Sequence, residues 1–199
     1  MLQYRGGSII NYWRLRGIAK KVRAGEIPKG IPEEKIWEAL RVTRPRGVVE
    51  VFGTLYAKIF NPDGTLREDR GLVSLKAVTQ NFAKHLVDAL CSSGAATTMP
   101  MYVYHKQGAG STAEADSHTA LVVQQVGATS GTSTHGTSSM VYQTVGTITA
   151  GSAYGCREHG IFNASTGGIL LDRSLVTAID LNTDDVVTWT YNLTVNAGG

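Results

Sequence analysis

The chain has 199 residues, of which 42% are hydrophobic and 18% charged, so it is long enough to bury one substantial core. No stretch approaches the ~20 apolar residues that a membrane-spanning helix needs, and no signal peptide is recognisable, so we expect no membrane association. Two cysteines, Cys91 and Cys156, cannot by themselves supply a disulfide framework or a zinc site. The 23 glycines favour β-structure with many turns over a helical bundle.

The net charge of +3 is unevenly distributed along the chain. Residues 1–58 carry twelve Lys and Arg against five acidic residues, whereas the rest of the chain is slightly acidic. This asymmetry is typical of a basic segment that meets an acidic partner, and a basic surface that is merely solvated gives the same pattern.

Residues 1–47 are predicted to form a basic N-terminal arm with two short helices, in NYWRLRGIAKKVRAG and in GIPEEKIWEALR. Pro32 suits the first position of the second helix, and acidic residues follow in its first turn. Aromatic and arginine side chains dominate the energetics of protein interfaces. We therefore expect the arm to bind a partner, although its tryptophans could instead fold back onto the body. The predicted contact residues are Trp13, Arg14, Arg16, Trp37, Arg44 and Arg46.

Residues 48–199 are predicted to form a mainly β body. VVEVFGTLYAKIF and LREDRGLVSL flank the turn NPDGT and predict a hairpin. Apolar residues then recur every three or four positions and predict one clear helix at about residues 75–91. Further strands are expected near residues 101–105, 119–126, 139–149, 157–163, 169–181 and 185–195.

The last of these segments, DVVTWTYNLTV, alternates apolar and polar residues and so predicts a half-buried strand. Several short strands with turn signals between them favour an antiparallel β-sandwich, jelly-roll-like, for the body. The expected buried face of the last strand consists of Val187, Trp189, Tyr191, Leu193 and Val195.

The most reactive-looking stretch of the chain is YGCREHGIFNASTGGILLDRS, residues 154–174. His159, Asp172 and Ser174 could in principle form a catalytic triad, but the nucleophile-elbow motif G-x-S-x-G is absent from the sequence. EHGIF and GILLDRS are more typical of two strands joined by a glycine-containing loop. Their charged residues would then pair across the hairpin or with backbone amides, which is a structural role.

Motifs for a cofactor or a metal are also absent from the sequence. GAGST, residues 108–112, lacks the lysine and the following helix of a phosphate-binding loop. The five histidines do not occur at metal-ligand spacings. We therefore expect no cofactor, no metal and no enzymatic activity.

Three strings carry a resemblance to a known group of proteins: HKQGAGSTAE at residues 105–114, EHGIF at 158–162 and LLDRS at 170–174. Together with the closing YNLTVNAGG, they resemble small structural proteins encoded by tailed bacteriophages, over about residues 48–199. The resemblance implies a non-enzymatic component of the virion, assembled in the host cytoplasm, and it assigns no catalytic residues.

The function expected from this resemblance is that of a capsid-associated minor or decoration protein, anchored through its N-terminal arm. Its partners would be the major capsid protein or other virion proteins, and we expect a homo-oligomer because virion lattices repeat each subunit. A tail or connector component is the first alternative. A nucleic-acid-binding module that uses the basic arm is a less favoured one.

Overall fold

The computed structural model describes residues 9–24, 26, 30–43, 50–91 and 100–196. The chain divides into two compact units, a helical unit (Met1–Glu50 with Val195–Gly199) and a sandwich unit (Val51–Thr194). In the described residues the elements are α1 (Ile9–Arg23), α2 (Glu33–Val42), β1 (Glu50–Phe60), β2 (Leu66–Ala77), α3 (Gln80–Cys91), β3 (Tyr104–Gly108), β4 (Thr129–Ser130), β5 (Thr132–His135), β6 (Val141–Thr149), β7 (Tyr154–Phe162), β8 (Leu170–Leu181) and β9 (Val186–Asn196).

The helical unit contains the two short helices predicted for the N-terminal arm, and α1 and α2 pack against each other. Each helix buries residues spaced three or four apart, as an amphipathic helix does. At the end of α2, the backbone N–H and the hydroxyl of Thr43 both donate to the carbonyl of Ala39. The buried side chains of the two helices are Ile18, Ala19, Val22, Ile36, Ala39 and Leu40.

The sandwich unit consists of two antiparallel sheets, with strand orders β2-β1-β9-β6-β5 and β4-β3-β7-β8. The chain crosses from one sheet to the other between β2 and β3, β4 and β5, β6 and β7, and β8 and β9. The apolar core lies between the sheets and includes Leu55, Ile161 and Trp189. The mainly β sandwich predicted from the sequence is therefore confirmed.

The alternation predicted for β9 is largely correct. Val187, Trp189, Tyr191 and Leu193 are buried, which is what side chains on one face of a half-buried strand do. Val195 was expected on the same face but is 38% exposed.

The predicted hairpin is present as β1 and β2, and its turn is held by hydrogen bonds between Asn61 and Thr65. The predicted helix is also present, but it begins at Gln80 and not near residue 75. Leu75 instead pairs with Thr54 in the β1–β2 ladder. Thr79 begins the helix, since its hydroxyl lies 3.3 Å from the amide of Phe82 and accepts a hydrogen bond from it.

The strand predicted at residues 119–126 is wrong. The region forms one isolated bridge, between Gly108 and Gln124, and is otherwise loop. The reason is that the amides of Val122 and Val123 donate to a buried carboxylate, that of Glu158, and not to a neighbouring strand.

None of the helices in the described ranges has the length and hydropathy needed to cross a bilayer. Both cysteines are free, Cys91 exposed and Cys156 buried.

Candidate functional site

A buried ion pair between Glu158 and Arg173 lies in the sandwich unit, under the loop that follows β3. Glu158 belongs to β7 and Arg173 to the neighbouring strand β8, and both are almost completely buried. Arg173 Nε donates to Glu158 Oε2 over 2.7 Å. The expected pairing across this hairpin therefore exists, whereas the sequence neighbour Arg157 is exposed.

The Glu158 carboxylate also accepts three backbone hydrogen bonds. The donors are the amides of Gly110 (3.0 Å), Val122 (3.0 Å) and Val123 (2.7 Å). Burial alone would raise the pKa of Glu158, but the Val123 and Val122 amides and the Arg173 guanidinium outweigh burial and hold this pKa below its ordinary value. Glu158 is thus a buried anion enclosed by the protein's own backbone.

The GAGST segment explains how the loop comes so close to this anion. A Cβ atom at Gly110 would lie 2.4 Å from Glu158 Oε1, and one at Gly108 would lie 2.1 Å from the carbonyl oxygen of Val123. Any larger residue at either position would clash. The segment that superficially resembles a phosphate-binding loop therefore surrounds an internal carboxylate.

Arg173 also contacts the loop that covers Glu158. One of its terminal nitrogens lies 3.1 Å from the Thr112 carbonyl and 3.3 Å from Nδ1 of His118. The same Nδ1 accepts a hydrogen bond from the amide of Ala115, so it acts as an acceptor. Arg173 therefore ties the loop after β3 to strand β8.

Two buried histidines form a second polar cluster, on the face of β7 opposite to Glu158, because Glu158 and His159 are consecutive in that strand. His105 Nδ1 lies 3.1 Å from His159 Nε2, and His105 Nε2 lies 3.1 Å from the hydroxyl of Thr144. The His159 ring also stacks on Trp189, with ring centroids 4.6 Å apart. Burial lowers the pKa of His105 to about 3 and, together with the His105 and Lys76 charges, lowers the pKa of His159 far below its ordinary value. Both imidazoles are therefore neutral near pH 7.

The indole of Trp189 connects this pair to the rest of the core. Its Nε1 donates to Gln107 Oε1 over 2.8 Å, and the amide nitrogen of Gln107 donates to the Tyr154 hydroxyl over 2.6 Å. Because these partners come from β9, β3 and β7, the hydrogen bonds join the two sheets and fix their relative register.

A third polar cluster consists of Lys76 on β2, Asp172 on β8 and Glu114 in the loop after β3. Lys76 Nζ lies 3.2 Å from Asp172 Oδ1 and 2.8 Å from Glu114 Oε1. Asp172 is 3% exposed, and the amide of Leu175 donates to the Glu114 carboxylate. Burial, reinforced by the Glu114 charge, raises the pKa of Asp172 against the opposing effect of Lys76.

The catalytic triad considered for residues 154–174 has different geometry from that of a serine hydrolase. Ser174 Oγ lies 3.5 Å from Asp172 Oδ2, and His159 directs its Nε2 to His105. All three side chains of the triad are buried. Among the described residues, no group of three or more His, Cys, Asp and Glu has the arrangement of a metal site.

The residues predicted to contact a partner belong to the helical unit. Arg14 and Arg16 are exposed on α1, and Trp37 is half-buried on α2, where its Nε1 donates to Glu33 over 3.0 Å. The side chain of Trp13 lies outside the described residues, as do Arg44 and Arg46.

Two cavities open beside α1 within the helical unit. One has a volume of about 460 Å³ and is lined by Arg16, Lys20, Arg23 and Thr43. In this cavity Arg23 pairs with Glu50 over 2.8 Å and donates to the Thr43 hydroxyl. The other cavity, of about 200 Å³, has Leu15, Ile18 and Ile31 in its lining together with Arg14.

The sequence analysis missed most members of these three buried polar clusters. Lys76, His105 and Glu114 lie far along the chain from the residues they contact, and the local pattern around each is unremarkable. The glycine spacing of GAGST was the available signal, because two closely spaced glycines after a strand indicate a close approach of other atoms.

No family model, curated protein or solved structure matches the chain.

Proposed function

We propose that the chain is a non-enzymatic structural protein of a tailed-phage virion, a capsid-associated minor or decoration protein attached through its N-terminal arm. The observation that carries the proposal is that the three strings of the resemblance meet in one place. HKQGAGSTAE supplies Gly110 and Glu114, EHGIF supplies Glu158, and LLDRS supplies Asp172 and Arg173. The three strings of the resemblance thus contain residues that lie close together in the folded protein.

The hydrogen bonding of the buried polar clusters favours a structural role. Glu158 is saturated by one guanidinium and three amides, and the two histidines are satisfied by each other and by Thr144. Buried polar groups that are hydrogen-bonded in this way specify register and make a core rigid. A subunit that must hold its shape in a repeating lattice benefits from that rigidity, and weak contacts repeated over many copies add up to stable attachment.

The arm supplies the means of attachment. Arg14, Arg16 and Lys20 are exposed on α1, and Trp37 is partly exposed on α2. Exposed cationic side chains and a partly exposed tryptophan on the two helices suit an acidic surface on a neighbouring virion protein or on another copy of the chain.

The experiment is co-sedimentation of the purified protein with phage heads and, separately, with detached tails. We expect binding to heads. Trp37→Ala removes the aromatic anchor and should weaken retention by about 2 kcal/mol at every salt concentration. The double variant Arg14→Glu, Lys20→Glu should lose retention most strongly at low salt, where wild-type attraction is least screened. Arg157→Glu, an exposed arginine of β7, is the matched control and should bind like the wild type.

Binding to tails and not to heads would replace the decoration role with a tail or connector role. Binding to neither, with the protein folded, would contradict the proposal as a whole.

A nucleic-acid-binding role is the second candidate, because one cavity of the helical unit is lined by Arg16, Lys20 and Arg23. If the arm contacts phosphates, DNA affinity should fall steeply with salt as counterions are released. The neutralisation of Arg23 by Glu50 argues against a site specialised for anions. Titration with double-stranded DNA at two salt concentrations distinguishes the roles, and we expect weak binding.

A further inference from the structure

A lysine, an aspartate and a glutamate meet where the edges of the two sheets come together. β2 is the terminal strand of the five-stranded sheet and β8 that of the four-stranded sheet. Lys76 on β2 and Asp172 on β8 face each other, with Nζ 3.2 Å from Oδ1, and Glu114 Oε1 lies 2.8 Å from the same Nζ. An amine, a carboxyl group and a second carboxylate are thus held in contact by three separate segments.

The Asp172 carboxyl group is buried and has few hydrogen-bond donors around it, so it differs from a solvated carboxylate. Asp172 Oδ1 is buried and, within the described part of the chain, has no hydrogen-bond donor beyond the Lys76 ammonium. The hydroxyl of Tyr191 is also buried and lies near the Asp172 carboxyl group, and it has no hydrogen-bond partner among the described residues. Gly53 pairs with Lys76 in the β1–β2 ladder, and a Cβ atom there would lie 2.7 Å from Asp172 Oδ2 and 2.4 Å from the Tyr191 oxygen.

The three side chains also have unequal access to water. The Asp172 side chain is 3% exposed and that of Lys76 is 10% exposed, whereas that of Glu114 is 28% exposed. Burial raises the pKa of Asp172, which favours the neutral carboxylic acid, a better electrophile than a carboxylate. Glu114 can exchange protons with solvent while it touches the buried amine.

We propose that Lys76 and Asp172 form an intramolecular isopeptide bond, and that Glu114 is the catalytic residue that transfers the protons. This inference goes beyond the proposed function, since it depends on the geometry of the sandwich unit alone.

The reaction is a condensation and needs no oxidant or cofactor. The Glu114 carboxylate takes one proton from the Lys76 ammonium, and the freed lone pair forms a C–N bond at the carboxyl carbon of protonated Asp172. Glu114 returns this proton to the carboxyl hydroxyl, the C–O bond breaks, and water leaves. Glu114 then takes the second nitrogen proton and releases it to solvent. The amide nitrogen keeps one hydrogen.

The hydroxyl groups nearby can stabilise the intermediate. Tyr191 lies near the carboxyl group, and Ser174 Oγ lies 3.5 Å from Oδ2, so both can donate to the oxygen that becomes negative when nitrogen adds. The reaction also replaces a buried ammonium and a buried carboxyl group by one neutral amide, which removes the desolvation cost of the buried ammonium. The bond would link the two sheets at their shared edge.

The decisive measurement is the intact mass of the purified, folded protein. We expect the wild type to be lighter than its sequence by the mass of one water, and a proteolytic digest to contain a branched peptide that joins Lys76 to Asp172. A wild-type protein of full sequence mass, after prolonged incubation in the folded state at neutral pH, would overturn the proposal.

Four variants identify the roles of the residues. Lys76→Arg keeps the positive charge but has no nucleophilic amine, and Glu114→Gln keeps the shape but cannot take a proton, so both should have full mass. Asp172→Asn should lose ammonia in place of water, because the side-chain amide then supplies the leaving group. Lys106→Arg, a substitution of another buried lysine, is the matched control and should lose one water like the wild type.

Far-UV and near-UV circular dichroism show whether each variant is folded. A folded Lys76→Arg variant that still lacks one water would place the dehydration elsewhere and contradict the assignment.

Discussion

The helical unit and the sandwich unit use charge in opposite ways. In the helical unit, buried side chains such as Ile36 and Leu40 are apolar, and basic side chains such as Arg14 and Lys20 are exposed. In the sandwich unit, by contrast, the charged side chains of Lys76, Glu158 and Arg173 are buried. We propose that the exposed charges of the first unit serve contacts with other molecules, whereas the buried charges of the second stabilise its fold.

The buried charges of the sandwich unit make its stability depend on complete pairing. Removing two charges from water costs several kcal/mol per ion, and mutual attraction compensates only when geometry and further hydrogen bonds are favourable. Glu158 meets this condition with four donors. Loss of any one partner should therefore be costly, in contrast to exposed ion pairs.

Among the single substitutions, the largest expected effect is on the Glu158–Arg173 pair. Glu158→Ala leaves the Arg173 guanidinium buried without its carboxylate and should lower the free energy of unfolding by about 3–5 kcal/mol. Lys84→Ala, which breaks the exposed pair with Asp88, is the control and should change it by less than about 1 kcal/mol. Urea denaturation measures both. Similar losses in the two variants would remove the basis of the comparison.

The next effect is a loss of stability in acid that comes from the buried histidines. In the folded state the pKa of His105 is lowered to about 3, and that of His159 is also far below its ordinary value of 6.5. Below about pH 6.5 the unfolded chain therefore binds protons that the folded chain excludes. Stability should fall as the pH drops from about 6.5 towards 3, by up to ~1.4 kcal/mol per pH unit for each histidine.

Asp172, a buried carboxyl group beside Lys76, has the opposite effect on stability. Its pKa is raised, so its contribution to stability is lost as the pH rises, and in the proposed isopeptide bond it would not titrate. Comparison of His105→Gln with the wild type isolates the histidine. We expect a shallower decline of the urea midpoint in acid for His105→Gln, while His135→Gln, at an exposed position in β5, keeps the wild-type slope.

A smaller effect is expected at the glycine that admits Glu158. Gly110→Ala places a methyl group where only 2.4 Å separates it from Glu158 Oε1, and overpacking of this kind costs about 1–3 kcal/mol. Gly151→Ala is the control, because no atom lies within 4 Å of the added Cβ. The difference in melting temperature between the two variants measures the cost. Equal melting temperatures would mean that the loop moves aside freely.

The sequence predicted the parts of the fold that depend on local pattern. Alternation located the buried Trp189 and Tyr191 in β9, and turn chemistry located the hairpin around Gly64. The apolar run at residues 121–123 led to the wrong prediction of a strand. The amides of Val122 and Val123 instead donate to a carboxylate 35 residues or more along the chain. A carboxylate that replaces a strand as hydrogen-bond partner leaves no periodic signature in the sequence.

The candidate site was less predictable for the same physical reason. The sequence indicated that the charged residues of EHGIF and LLDRS would pair across the hairpin or with backbone amides, and Glu158 does both. Lys76, Asp172 and Glu114 meet only after both sheets have formed, and nothing in the residues flanking Lys76 or Glu114 signals that contact. Long-range contacts between sheets are what a single sequence specifies least visibly.

The smallest expected effect concerns removal of the arm. The apolar core of the sandwich, as described, is built from residues 51–194 and includes Leu55, Phe82 and Trp189. Deletion of residues 1–47 should therefore leave a soluble body that unfolds in one cooperative transition, with a urea midpoint close to that of the full chain. The truncated protein should still lose one water in its intact mass, because Lys76, Glu114 and Asp172 are all retained, yet it should no longer co-sediment with phage heads. A broad, non-cooperative transition would mean that arm residues complete the core, and the assignment of the arm's charges and Trp37 to partner contacts would then be wrong.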